Sequence, residues 1–175
     1  MASFSRFSAS MALTAVLMLL LLTGCDQWPA DPRHSLDSAR ERGTLRVGVL
    51  HAPPWVELTD QASPAGLEVE LISEFAADLG LEVEWHIEGV EQQTEALKQA
   101  ELDILLGGFS SANPWRAEVG QTFVYFREQQ GGALGKHVML TAPGENALLM
   151  ALEGFLLRQP APERYITRLR EADQS

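Results

Sequence analysis

The sequence predicts an α/β fold in which a mostly parallel sheet is flanked by helices, and three observations carry that prediction. Apolar runs of strand length alternate with amphipathic runs of helix length over residues 44–157. Leu67 to Leu79 (LEVELISEFAADL) sets Leu67, Leu71, Phe75 and Leu79 four residues apart, one stripe of a helix that Gly80 ends. Leu81 to Ile87 alternates instead, with Leu81, Val83, Trp85 and Ile87 on one face and Glu82, Glu84 and His86 on the other. That is a half-buried strand near a sheet edge.

Taken in order, residues 1–24 read as a signal peptide outside the fold. Arg6 supplies a positive start, and Met11 to Leu22 is an apolar run too short to span a bilayer comfortably. It ends in Leu22-Thr23-Gly24-Cys25, which resembles the bacterial lipobox and implies diacylglycerol on the Cys25 thiol. At roughly 0.8 kcal/mol per buried CH₂, an anchor of several acyl chains (a palmitate among them) holds to membrane lipid where a single chain would not. Asp26 resembles the signal that keeps such lipoproteins on the periplasmic face of the inner membrane rather than the outer membrane. Cys25 is the sole cysteine, so no internal disulfide is available.

Residues 25–42 comprise the lipidated cysteine, a Pro-containing tether (DQWPADPR) and an entry helix from His34 to Arg42 with Ser35 as its cap. Thr44 to Leu50 is a buried strand, and Pro53 and Pro54 keep HAPPWVE in a loop. Glu91 to Ala100 forms a polar helix, and Leu102 to Leu106 a third strand running into Gly107-Gly108. Helical turns at Asn113 to Val119 precede a strand at Gln121 to Phe126. His137 to Leu140 is another short strand, Glu145 to Leu157 an apolar helix, and Pro162 to Glu171 a last polar one. Between these, VYFREQQGGALGKHVML is too long for a tight two-residue hairpin, so 127–136 reads as a Gly-rich connector.

Removal of residues 1–24 takes away Arg6 and no acid, which leaves 12 basic against 24 acidic side chains. So acidic a surface argues against nucleic acid as a partner and against electrostatic docking to anionic lipid. The acidic pairs Glu68/Glu70 and Glu82/Glu84 alternate with apolar residues and read as solvated faces. His34, His51, His86 and His137 lack metal-ligand spacing, no Gly-x-Ser-x-Gly elbow is present, and Gly43 to Gly48 is no phosphate loop. The residues call for no metal, no cofactor and no catalytic group.

The most informative stretch is GGFSSANPWRAEVGQTFVYF, residues 107–126. Gly107 and Gly108 end a strand without side-chain bulk, Ser110 and Ser111 add hydroxyls and amides, and Arg116 offers a planar fork of donors suited to a carboxylate. Ligands of such folds bind at the carboxyl ends of the strands, where this loop lies. Arg116 is equally compatible with an ion pair to Glu118, and the two serines with turn residues.

These stretches resemble the family 3 periplasmic solute-binding proteins of ABC transporters, which bind polar amino acids. GTLRVGVLHAPPWVE, PAGLEVELISEFAADLGLEVEW, ALKQAELDILLGGFS and PWRAEVGQTFVYF match its first lobe in order and spacing, and HVMLTAPGENALLMALEGFL resembles the return into that lobe. The resemblance implies one lobe of a type II periplasmic binding protein, spanning 43–175. Residues 43–126 would form its N-terminal part and 137–175 its return segment. The connector would stand where the family crosses into a second lobe, missing here. It also implies ligand-binding roles for Arg116 (clamp on the α-carboxylate), Ser111, Ser110, the Gly108 backbone and Trp55. Trp55 would pack on the ligand side chain, though core packing suits it too, and Trp115 and Trp85 read as packing residues.

On this reading the chain is expected to be a lipid-anchored binding component of an ABC uptake system, with a permease as partner, that binds an amino acid or similar carboxylate weakly. The alternative is a degenerate lobe serving as a protein-interaction module. Self-association or a partner protein would then cover the face left by the missing lobe. A membrane-bound lytic transglycosylase family couples a similar lobe to a catalytic domain. With no room for such a domain after residue 157, the expectation here is a non-enzyme.

Overall fold

A computed structural model describes residues 31–58, 63–130 and 133–159, with the side chains of 128–130, 133 and 134 left aside. The lipobox, Cys25, the tether up to Ala30 and the expected helix at Pro162 to Glu171 lie outside the described residues. The elements run α1 (Ser35–Arg42), β1 (Thr44–Val49), β2 (Glu57–Leu58), β3 (Pro64–Ala65), α2 (Leu67–Asp78), β4 (Glu82–His86), α3 (Val90–Lys98) and β5 (Ile104–Leu106). They continue with β6 (Gly120–Gln121), β7 (Phe126–Gln130), β8 (Ala133–His137), β9 (Leu140–Thr141) and α4 (Asn146–Leu156).

The central sheet has the order β4-β1-β5-β9-β6. β1 pairs parallel with β4 and β5, while β9 is antiparallel to both β5 and β6. Four of the five strands therefore run one way, a mixed and mostly parallel sheet, and β4 is at its edge as its alternation predicts. Leu45, Val47 and Val49 of β1 and Ile104 to Leu106 of β5 are fully buried, as the middle of a two-faced sheet requires. One core joins β1 to α2 through Leu71, Ile72 and Phe75, and to α4 through Leu148, Leu152 and Phe155.

The start of α1 departs from the local capping rule, whereas Gly43 and Gly80 end α1 and α2 in the left-handed conformation as expected. Ser35 is the first residue of α1 and caps nothing with its side chain. The cap comes instead from Glu145, more than a hundred residues away, whose carboxylate accepts the Arg33 amide at 3.2 Å and the Ser35 amide at 3.0 Å. That is an acid where a helix N-terminus favours one. Burial, then the hydrogen bond and charge of Glu145, push the neighbouring Asp31 carboxyl up to about 6. Burial would raise Glu145 too, but the bonds from Asp31, Ser35 and Arg33 outweigh it and hold that carboxylate below its usual range.

The first turn of α2 meets the loop before it. The Leu67 and Glu68 amides donate to the Pro54 and Trp55 carbonyls at 3.2 and 3.0 Å. Gly66 permits this approach, since a Cβ there would lie 2.5 Å from the Trp55 carbonyl oxygen. Glu68 itself corrects the expectation of a solvated acidic face, for it is 0% exposed. Its Oε2 accepts the Gly107 amide at 2.9 Å and the Gly108 amide at 3.1 Å, and its Oε1 accepts the Tyr125 hydroxyl at 2.6 Å. Burial raises its pKa and these three bonds pull the other way, leaving it above the ordinary carboxylate value.

The connector at 127–136 also departs from expectation. β7 and β8 form an antiparallel hairpin whose register runs from Phe126↔His137 to Gln130↔Ala133. Only Gly131 and Gly132 separate the paired residues, the short loop that the sequence reading rejected. The strands run past the apolar runs on each side. Polar residues such as Arg127 and Lys136 pair in this ladder as readily as apolar ones. Asn113 to Val119 forms the turns expected there: the Arg116 amide bonds to the Asn113 carbonyl, and the Glu118 and Val119 amides to that of Trp115.

Two outcomes test these contacts. Glu68→Ala, which strands two amides and a hydroxyl, lowers stability in urea denaturation by about 2–4 kcal/mol, and Tyr125→Phe by about 1 kcal/mol. Asp31 is raised in the fold, so its contribution is full below pH 3.8 and lost as pH rises through about 6. Asp31→Asn should match the parent near pH 4 and exceed it by about 1 kcal/mol at pH 7, as read by thermal unfolding across that range.

Candidate functional site

The loop from Gly107 to Val119 leaves the carboxyl end of β5, and Asn113 holds its shape. Asn113 is buried; its Nδ2 donates to the Ser110 carbonyl at 3.0 Å and to Gln121 Oε1 at 3.2 Å, while its Oδ1 accepts the Trp115 amide at 3.1 Å. Sequence reasoning missed this residue, although an Asn before Pro114 is itself a turn signal. Trp115 packs edge-on against Phe109 at 6.1 Å and lends its body to the second apolar cluster, the packing role expected of it.

Arg116 projects from this turn and is exposed. Its amide donates to the Asn113 carbonyl at 3.4 Å, and its guanidinium has no hydrogen bond or ion pair among the described residues. The surface pairing with Glu118 does not form, because Glu118 accepts Lys98 Nζ at 2.9 Å. Arg116 is left as an open donor fork on the loop that follows β5.

The neighbouring groups are largely engaged within the chain. The Gly107 and Gly108 amides go to Glu68, and the Phe109 carbonyl accepts the Val138 amide at 2.9 Å. Ser110 pairs as an isolated bridge with His137, and its Oγ accepts the Ala112 amide at 3.0 Å. The Ser111 amide donates to the Lys136 carbonyl at 2.8 Å, so of Ser111 only the half-buried hydroxyl remains for a ligand.

Trp55 is 5% exposed. It stacks on His137 with ring centroids 4.0 Å apart, and Phe126 lies 5.1 Å from it. A Cβ on Gly108 would come within 2.5 Å of Trp55 Cδ1, so glycine is needed there, at φ +61°, for the indole to fit. The indole thus anchors the loop and the hairpin from beneath, with little surface left over for a solute. Trp85 likewise packs on the core.

The structure therefore brings Arg116, Ser110 and Ser111 to one loop and turns Trp55 inward. A groove of about 420 Å³ along α2, lined by Pro64, Gly66, Val69, Glu70, Ser73 and Glu74, shares no residue with that loop. Its two carboxylates make it unsuited to an anion. Among the described residues, no three His, Cys, Asp or Glu side chains group as metal ligands.

Comparison with known proteins gives this geometry a family. Residues 45–165 match the bacterial extracellular solute-binding proteins, family 3. Arginine-bound domain 1 of TmArgBP superposes with a TM-score of 0.63 at 22% identity, covering 70% of this chain and 98% of that one. An ABC uptake transporter substrate-binding protein from Streptococcus pneumoniae, solved with histidine, gives a TM-score of 0.61 at 9% identity over 70% of this chain and 89% of that one. Both likenesses speak for the fold of a single lobe.

Among curated proteins, the membrane-bound lytic murein transglycosylase F of Vibrio cholerae is 36% identical over 121 residues, 67% of this chain and 22% of its own length. That of Vibrio campbellii is 33% identical over 131 residues, 72% of this chain and 23% of its own. The chain thus spans about a fifth of the length of the curated relatives it matches. Their names correct the expectation of a non-enzyme: the relatives of this lobe are enzymes, and the match lies on their solute-binding part. The relatives' membrane-bound character and the extracellular family agree with a place outside the cytoplasm. With its lobe fold and a match over residues 45–165, the chain belongs to the bacterial extracellular solute-binding proteins, family 3.

Proposed function

We propose that this chain is the solute-binding lobe of a membrane-bound lytic murein transglycosylase, and that Arg116 receives the carboxylate of a small solute such as an amino acid. The observation that carries the binding site is the guanidinium itself. It is exposed on the loop after β5 and unpaired among the described residues, the acid two positions away being taken by Lys98. The Ser111 hydroxyl, fixed by the bond of its amide to Lys136, stands in the same loop as a second donor. The relatives' names support the enzymatic setting, and the lipobox ending in Cys25 supports a lipid anchor at the periplasmic face of the inner membrane.

Presentation of the solute to an ABC permease is a second reading, supported by the family's description as extracellular solute-binding proteins. A partner or a second copy facing Arg116 would serve either reading, since a solvated ion pair contributes only about 0–1 kcal/mol.

On one lobe alone, L-glutamine should bind with a Kd in the millimolar range. Arg116→Ala should weaken it by up to about fivefold without a change in unfolding midpoint. Amide chemical shifts of the full chain in detergent, followed through a titration, check this. Equal binding by the parent and Arg116→Ala would overturn the role of Arg116, and no binding by either would favour the interaction-module role.

A further inference from the structure

The chain carries 13 basic against 24 acidic side chains, so a basic group finds a carboxylate close by over most of its surface. Most of those described have done so. Arg40 pairs with Asp37, Arg42 and Arg46 with Asp103, Lys98 with Glu95 and Glu118, and Arg158 with Asp78, while Arg33 donates to the Lys98 carbonyl. Among the described residues, the Lys and Arg side chains left with neither hydrogen bond nor ion pair are Arg116, Arg127 and Lys136.

Two of these three share the hairpin, and the third lies in the loop that the hairpin holds. Arg127 and Lys136 are direct partners across β7 and β8. The pair beside them, Phe126 and His137, is buried against Trp55, so alternation turns Arg127 and Lys136 to the outer face, where both are exposed. Lys136 is bound through its carbonyl to the Ser111 amide, at the start of the turn that carries Arg116. Like charges directly opposite one another weaken a β-ladder. Here they stand side by side in an acidic protein, paired with no acid among the described residues, an arrangement that an external anion would relieve.

We propose that Arg127 and Lys136 are specificity-determining residues that, with Arg116, select an anionic solute: one with a second negative group besides the carboxylate held by Arg116. The inference rests on the binding role given to Arg116 above and narrows its substrate class. The hairpin that occupies the position expected of a connector then contributes a second cationic contact. Its contacts are exposed, so selectivity is electrostatic and fades as salt screens it.

L-glutamate and L-glutamine are nearly isosteric and differ by one charge, which makes them the probes. Titrated into the full chain in detergent and followed by amide chemical shifts, glutamate should bind about tenfold more tightly at low salt. The gap should close in about 0.5 M salt and in R127Q/K136Q, whose exposed positions leave the fold intact by thermal unfolding. R127E/K136E should reverse the preference. Equal affinities for both probes, each lowered by Arg116→Ala, would overturn this proposal and leave the binding role of Arg116 standing. A glutamate preference that vanishes in R127Q/K136Q but ignores Arg116→Ala would support the hairpin cations and overturn the role of Arg116. No binding of either probe overturns both.

Discussion

The lobe depends on one buried carboxyl group. Glu68 sits in the first turn of α2, wholly out of solvent, and gathers the Gly107 and Gly108 amides from the end of β5 and the Tyr125 hydroxyl from the foot of the hairpin. A buried carboxyl without partners would be among the most expensive groups a small core could hold, and three donors make it tolerable. The same three bonds tie a helix, a strand end and a hairpin into one arrangement. They also decide what the site can be. Backbone amides at a strand tip are the usual means of meeting an anion, and here two of them face inward to a side chain of the chain itself. Recognition of anything outside is left to side chains, of which Arg116 and Ser110 are exposed on this loop.

The hairpin follows from the same geometry. Its buried pair, Phe126 and His137, clamps Trp55 from one side, and Trp55 in turn fills the space that a side chain at Gly108 would occupy. Its β8 strand reaches the loop through Ser110, and through the Ser111–Lys136 and Phe109–Val138 bonds. Loop and hairpin therefore form a joined body rather than two independent surface pieces, so hairpin side chains share a frame of reference with Arg116. A flexible connector would have given no such fixed relation.

The apolar pattern made most of the sheet and helices legible. Leu67, Leu71 and Phe75 announced α2, and the alternation from Leu81 to Ile87 announced an edge strand, because burial acts on each residue where it stands. What escaped the reading depends on partners distant in the chain. Ser35 fits the local rule for a cap, yet the cap is Glu145, and no pattern around either residue tells of the other. Glu68 and Glu70 look alike in sequence, and only the approach of Gly107, Gly108 and Tyr125 separates a buried acceptor from a solvated acid. The hairpin was missed for a different reason: a ladder that is polar on its outer face gives little hydrophobic signal. For the site, Arg116 was visible as a donor in a loop after a strand. Trp55 fitted a ligand contact and a core residue equally well, and what turned it inward is the space above Gly108.

Charge sets how such a site can work. A chain with a formal net charge of −11 repels an anion at distances where its field is unscreened, and beyond roughly 8 Å at physiological salt that repulsion fades. An anionic solute would then be sensed only at close range, by cations whose own neighbours have not already neutralised them. Asp103 shows the alternative fate: it is buried, and it consumes both Arg42 and Arg46 in holding α1 and β1 together. Cations spent in this way contribute to the fold and add nothing to recognition. Those on the loop and hairpin stay in water, where each contact is weak and exchange is fast. A surface closing over them would strip that water and strengthen every contact at once, at the cost of desolvating the guanidinium before its anion arrives. Tight binding therefore requires anion and covering surface to come together. On the binding role proposed for it, Arg116 alone would support only loose, reversible capture.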